Sequence, residues 1–128
     1  TNETFLSSTN SSTSFMRLGQ GSDTTFRIRQ NTASNQADIT MSSAFGTDKA
    51  IFEVTRDGSN DIRALKNSVQ VGTASSQTGT FEANQISAHS NGLSSAQIAE
   101  VVIFNTILNS ATATKVRNDI ADRNSLSL

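Results

Sequence analysis

Apolar and polar positions along this chain alternate in short bursts rather than in long helical periods. In Thr25-Phe26-Arg27-Ile28-Arg29 every second residue is apolar, which predicts a strand with Phe26 and Ile28 facing inward and the two arginines facing outward. Ala37-Asp38-Ile39-Thr40-Met41 repeats the pattern, and Lys49–Arg56 places Ala50, Phe52 and Val54 on one face. Phe5-Leu6 and Phe15-Met16-Arg17-Leu18 predict two short strands around the polar loop Ser7–Thr13, and Gly19–Asp23 is a turn. A loop from Ser42 to Asp48 precedes the third long strand. Asp57-Gly58-Ser59-Asn60-Asp61 reads as a hairpin turn, with Ile62–Lys66 as its return strand. Asn67-Ser68 turns again into Val69-Gln70-Val71, and a polar loop, Thr73–Thr80, leads to Phe81 and to a strand over Gln85–Ala88.

The C-terminal part differs. Between Gln97 and Asn105, Ile98, Val101, Val102, Ile103 and Phe104 form an almost unbroken apolar run, which predicts a strand covered on both faces. Asn109 or Ser110 can cap a following helix, in which Ala113, Val116, Ile120 and Ala121 recur at helical spacing. Lys115, Arg117 and Asp119 would then face water. Many short strands, regular turns and one terminal helix predict a single all-β domain over residues 1–128, an antiparallel β-sandwich.

Composition sharpens this picture. The 128 residues are 34% hydrophobic but only 16% charged, with net charge −1, so charge repulsion does not explain the low hydrophobicity. Ser, Thr, Asn and Gln supply about two residues in five, which suits the wet faces and turns of a β protein. The charge balance does not favour nucleic acid as a partner, because a phosphate backbone needs clustered cations. Cysteine is absent, which removes disulfides and thiolate metal sites and fits a bacterial or viral protein better than a secreted animal domain. No apolar run reaches the roughly 18 residues of a membrane span. The chain starts at Thr1 without an initiating Met, so it reads as processed or excised from something longer.

Two blocks resemble concanavalin-A-like and laminin-G-like jelly rolls. One is Thr55-Arg56-Asp57-Gly58-Ser59-Asn60-Asp61-Ile62-Arg63-Ala64-Leu65-Lys66-Asn67-Ser68-Val69, with Ser68 where those domains place Gly. The other, more distinctive, is the Ile98–Ser110 strand entering its helix, with Glu100 early in the strand. The resemblance covers roughly Phe15 to the C-terminus and implies a jelly roll whose N-terminal strands are lacking. Either an N-terminal part precedes the chain, the preferred reading, or neighbouring chains complete the sheets. Relatives of this kind include lectins, pentraxins, adhesion modules, glycan hydrolases and domains on phage and viral particles. The Ser/Thr/Asn-rich, Cys-free character is most similar to the last group.

Candidate chemistry is sparse. A retaining glycosidase needs two carboxyl groups about 5–5.5 Å apart, and the Glu-x-Asp-x-x-Glu strand of the glucanase branch does not occur around Glu53 or Glu100. Asp119 and Asp122 fall on the helix. His89 is the only histidine and makes neither triad nor zinc site. Glu100 reads as a structural carboxylate bonded by loop backbone or an arginine, since burying it unpaired would be costly. Asp57, Asn60 and Asp61 could present oxygens to calcium, but these residue types are also the ordinary material of hairpin turns. Neither a metal nor a cofactor is expected. Arg17, Arg27 and Arg29 could form a stripe for acidic or sulfated glycans, with a plain wet surface as the simpler reading.

Sugar binding would fall to loop groups, with Asp57, Asn60, Asp61 and Asn67 as the candidates. It lacks the Trp or Tyr that usually stacks on a sugar, and Phe26, Phe52 and Phe104 sit at core-facing positions. The resulting expectation is a non-catalytic module on a virion surface or in an extracellular setting, a capsid decoration or appendage component. It would contact protein neighbours or a host surface, as part of an oligomer. A glycan-binding, lectin-like adhesion domain of a bacterial extracellular protein is the alternative, with a cell-surface glycan as partner; a hydrolase fragment is third.

Overall fold

In a computed structural model, residues 3–8, 13–86 and 97–128 are described. The strands run in chain order as β1 (Glu3–Ser7), β2 (Phe15–Leu18), β3 (Thr25–Gln30), β4 (Thr32–Thr40), β5 (Phe52–Arg56), β6 (Asp61–Lys66), β7 (Val69–Gln70), β8 (Ser75–Ser76) and β9 (Gln85–Ile86). One helix follows, α1 (Ser110–Arg123). All pairing is antiparallel. One sheet has the order β4-β3-β2-β1-β9, and the other has β5-β6-β7, with β8 also on β6. The fold is thus an all-β sandwich with a C-terminal helix.

The alternation in β3 sets the register of the larger sheet. Phe26 lies opposite Leu18 and Ile39, and Ile28 lies opposite Met16 and Ala37, so one face collects the apolar residues of three strands. The second sheet closes over that face with Ile62 and Ala64 from β6 and with Phe52 and Val54 from β5. Phe52 is the hub of the aromatic packing. Its ring centroid lies 5.0 Å from Phe26 and 5.2 Å from Phe45, both edge-to-face, and 5.7 Å from Phe5. Edge-to-face rings place positive edges against negative faces, a preference that adds to the area buried.

The β4 side is closed by the loop after β7. Gly72 has φ +87, and a Cβ there would run into the Thr40 carbonyl oxygen, so the loop lies on β4 as only glycine allows. The buried Gln30 amide donates to the carbonyls of Gln77 and Thr78 at 3.3 Å and accepts from Arg56. Arg56 also donates to the Gly79 carbonyl at 2.6 Å. These bonds satisfy buried polar groups that would otherwise be costly.

Two expectations fail. Residues 97–105 form neither strand nor helix, and Val101–Ile107 is exposed throughout. Phe104 therefore does not face the core. Arg117 does not face water: its Nε lies 2.9 Å from Glu53 Oε1, and its Nη1 donates to Ser68 Oγ at 3.0 Å. The helix thereby meets the outer face of the smaller sheet, where Glu53 points because Phe52 and Val54 point inward. The ion-pair N–H does not aim at its oxygen, and neither atom has another partner. Ser87–Ala88 of the last expected strand, and His89, lie outside the described residues.

Candidate functional site

The apolar run before the helix is the most unusual surface of the molecule. Val101, Val102, Phe104 and Ile107 are 37%, 44%, 46% and 54% exposed, and Ile103 is 68% exposed. Single exposed apolar side chains need no explanation, but a contiguous group marks an interaction site or an aggregation liability. An apolar run on both faces of a segment demands cover without specifying who supplies it. Among the described residues the segment has no strand partner.

Both ends of this strap are anchored to α1. At its start, Glu100 Oε1 accepts from Arg123 Nη2 at 2.6 Å, and Oε2 accepts from Asn124 Nδ2 at 3.1 Å. Asn124 Nδ2 donates as well to the Ile120 carbonyl at 2.9 Å, which ties the clasp to the last helical turn. The Arg123 guanidinium holds the Glu100 carboxyl below the usual carboxylate range; desolvation opposes it less strongly, and the Asn124 amide adds a lesser pull downward. At its finish, Asn109 is the N-cap, its side chain accepting from the Thr112 amide at 2.9 Å. A helix of 14 residues is about 21 Å long, so the strap runs back along the helix from one end to the other. Glu100 lies exposed outside any strand, and the arginine bonded to it is Arg123. The signal was there: Arg123 is the basic residue of the last turn.

The loop residues proposed for sugar contact divide into two groups. Asp57, Asn60 and Asp61 share one turn. Asp57 Oδ1 accepts from the amides of Ser59 at 2.9 Å and Asp61 at 3.1 Å, and Oδ2 accepts from Arg63 Nη1 at 2.8 Å. The Arg63 bond first, then the amides, hold the Asp57 carboxyl low. Asn60 takes φ +66 and its amide donates to the Asp57 carbonyl at 3.0 Å, while Asp61 lies 3.5 Å from Arg63. Asn67 sits at the other end of β6, a strand's length or roughly 20 Å away. There its amide donates to the Ile51 carbonyl and its Oδ1 accepts from the Ile51 amide, both at 2.9 Å. The structure therefore brings three of the four together and commits them to turn geometry, with Asn67 tied separately to the strand entry. Among the described residues no three His, Cys, Asp or Glu side chains gather to hold a metal ion, and no helix is long and apolar enough to cross a membrane.

Compared with family models, curated proteins and solved structures, the chain matches none.

Proposed function

We propose that this chain is a non-catalytic β-sandwich module that attaches to protein neighbours in a larger assembly through the strap and α1. The setting proposed is the surface of a phage or viral particle, as a capsid decoration or appendage component. That setting comes from the likeness of its Cys-free, Ser/Thr/Asn-rich sequence to such domains. With residues 97–105 outside any strand, the likeness now rests on the 55–69 hairpin and the terminal helix.

The observation that carries the attachment role is the uncovered run from Val101 to Ile107, held in place at both ends rather than trailing. Contact residues that are already positioned lose less conformational freedom on binding than a loose tail would. The exposed side chains are β-branched or aromatic, suited to a sheet-like or flat apolar partner surface.

Sedimentation velocity across micromolar concentrations tests this reading, comparing the wild type with Ile103→Asp/Phe104→Asp. Association in the wild type and a monomer in the variant, with an unchanged circular dichroism spectrum, is the expected result. A wild type that stays monomeric, in isolation and when mixed with its assembly neighbours, overturns it.

A further inference from the structure

The smaller sheet stops before it has covered the larger one. Ile28 on β3, Met16 on β2, Leu6 on β1 and Ile86 on β9 lie opposite one another in turn, so their side chains form one row on the core-facing side. Ile28 is buried, Met16 and Leu6 are half-buried, and Ile86 is 58% exposed. Cover therefore fails towards β9. The smaller sheet lies over the opposite end, where β6 and β8 meet β4. Its last strand, β5, reaches as far as β1, through Phe52 and Phe5.

The edge of β5 on that side can take another strand. Two backbone bonds at the ends of the β5–β6 hairpin fix its ladder: the Asn67 amide donates to the Ile51 carbonyl at 2.9 Å, and the Asp57 amide to the Asp61 carbonyl at 3.1 Å. Inward-bonded and outward-turned residues alternate along an antiparallel strand. Glu53 and Thr55 therefore bond β6, while Phe52, Val54 and Arg56 turn N–H and C=O away from it. Among the described residues no strand pairs with that edge. Proteins commonly guard an open edge with proline, lysine or a bulge. This chain has no proline, and β5 carries no lysine and keeps an unshifted register with β6.

We infer that the strap of a second copy of this chain adds to β5 as a further strand, an inference that rests on the attachment role proposed above and names its receiving surface. Val101–Asn105 matches the five residues of β5 in length, and no residue from Val101 to Ile107 carries a charge that pairing would desolvate. The strap is apolar at both alternating positions, as a strand in this place requires. One set of side chains meets Leu6 and Ile86 on the larger sheet. The other lies on the outer face of the smaller sheet, the side on which α1 packs through Arg117 and Glu53. In its own chain the strap is fixed to α1 by the Glu100 clasp and the Asn109 cap and does not pair with β5, so the added strand comes from another copy. Exchange in both directions covers two straps and two edges and closes a two-fold dimer.

Sedimentation velocity on the intact chain tests this with Val54→Pro, which removes an outward N–H without touching a bond to β6. The wild type should dimerise, and Val54→Pro should raise the dimer dissociation constant by about tenfold or more. Val54→Pro keeps an intact strap, and Ile103→Asp/Phe104→Asp keeps an intact edge. Mixed where neither self-associates, the two should form a heterodimer. Should circular dichroism show Val54→Pro misfolded, the Cys-free chain allows a second route. Thr55→Cys and Val102→Cys chains, mixed and treated with a short bismaleimide, should join to each other more than Thr40→Cys and Val102→Cys chains do. A wild type monomeric by itself overturns the inference, while the attachment role then stands or falls with its assembly neighbours. A wild type that associates through the strap but ignores Val54→Pro overturns the inference and leaves the attachment role intact. Joining at Thr55→Cys no greater than at Thr40→Cys overturns it equally.

Discussion

Arg123 Nη2 reaches Glu100 Oε1 at 2.6 Å across 23 residues of sequence, closing the strap onto the C-terminal end of α1. The bond sits where a cation already complements the helix carbonyls, so Arg123 serves the helix terminus and the clasp together. Both partners are solvent-accessible, with side chains 56% and 28% exposed. The clasp therefore positions the strap more than it stabilises the sandwich.

Glu100→Gln should loosen the strap without unfolding the protein. Amide hydrogen exchange between residues 98 and 107 is expected to accelerate, while β3 and β6 keep their protection. Equal acceleration in the sheets would show that the strap is part of the cooperative core instead.

Acid should produce the same loosening. The Glu100 and Asp57 carboxyls both titrate lower in the folded chain than in the unfolded one, through Arg123 and Arg63 respectively. Their contributions are complete above the ordinary carboxylate range and are lost as pH falls through the lowered folded values. The unfolding midpoint should therefore decline on acidification below the ordinary carboxylate range, with Glu100→Gln flattening part of that decline. An identical pH profile in the variant would deny Glu100 this role.

Core and strap should respond oppositely to truncation. Phe26→Ala empties a fully buried core position packed edge-to-face on Phe52 and should cost about 3–5 kcal/mol in denaturant unfolding. Ile103→Ser removes an exposed side chain and should stay within about 0.5 kcal/mol while abolishing association.

Gly72→Ala should destabilise by at least roughly 1 kcal/mol, because it joins a disfavoured positive φ to a collision with the Thr40 carbonyl. Gly58→Ala is the control, since its Cβ meets open space. If both variants shift thermal unfolding equally, the close approach at Gly72 is not what fixes the loop.

The Glu53–Arg117 pair gives a further check. Glu53→Gln alone should cost roughly 1–3 kcal/mol by leaving the largely covered Arg117 charge without its carboxylate. Glu53→Leu/Arg117→Leu should recover most of that loss, because an apolar pair of similar bulk needs no desolvated partner. A double variant as unstable as the single one would contradict this.

The strands β2, β3 and β6 were legible in the residues because alternation is local: successive side chains of a strand must point to opposite faces. The Asp57–Asp61 turn was legible for the same reason, as was a helix cap at Asn109 or Ser110, which the structure assigns to Asn109, each being a bond between near neighbours. The helical period also placed Ala121 correctly inward. Arg117 broke that scheme, because a helix position between its wet and dry faces turns towards whichever neighbour offers a carboxylate, and Glu53 lies 64 residues away.

Local covalent geometry thus settled strands such as β3 and β6, the Asp57–Asp61 turn and the neighbourhood of the helix start, but not the 97–105 run. Tertiary structure alone decided that the apolar strap lies in solvent, that Arg17 is buried beside two other guanidiniums, and that Phe52 joins the two sheets. The reason is that an apolar sequence states a need for cover, and a charged one a need for a partner. Whether either need is met depends on residues brought near from elsewhere in the chain.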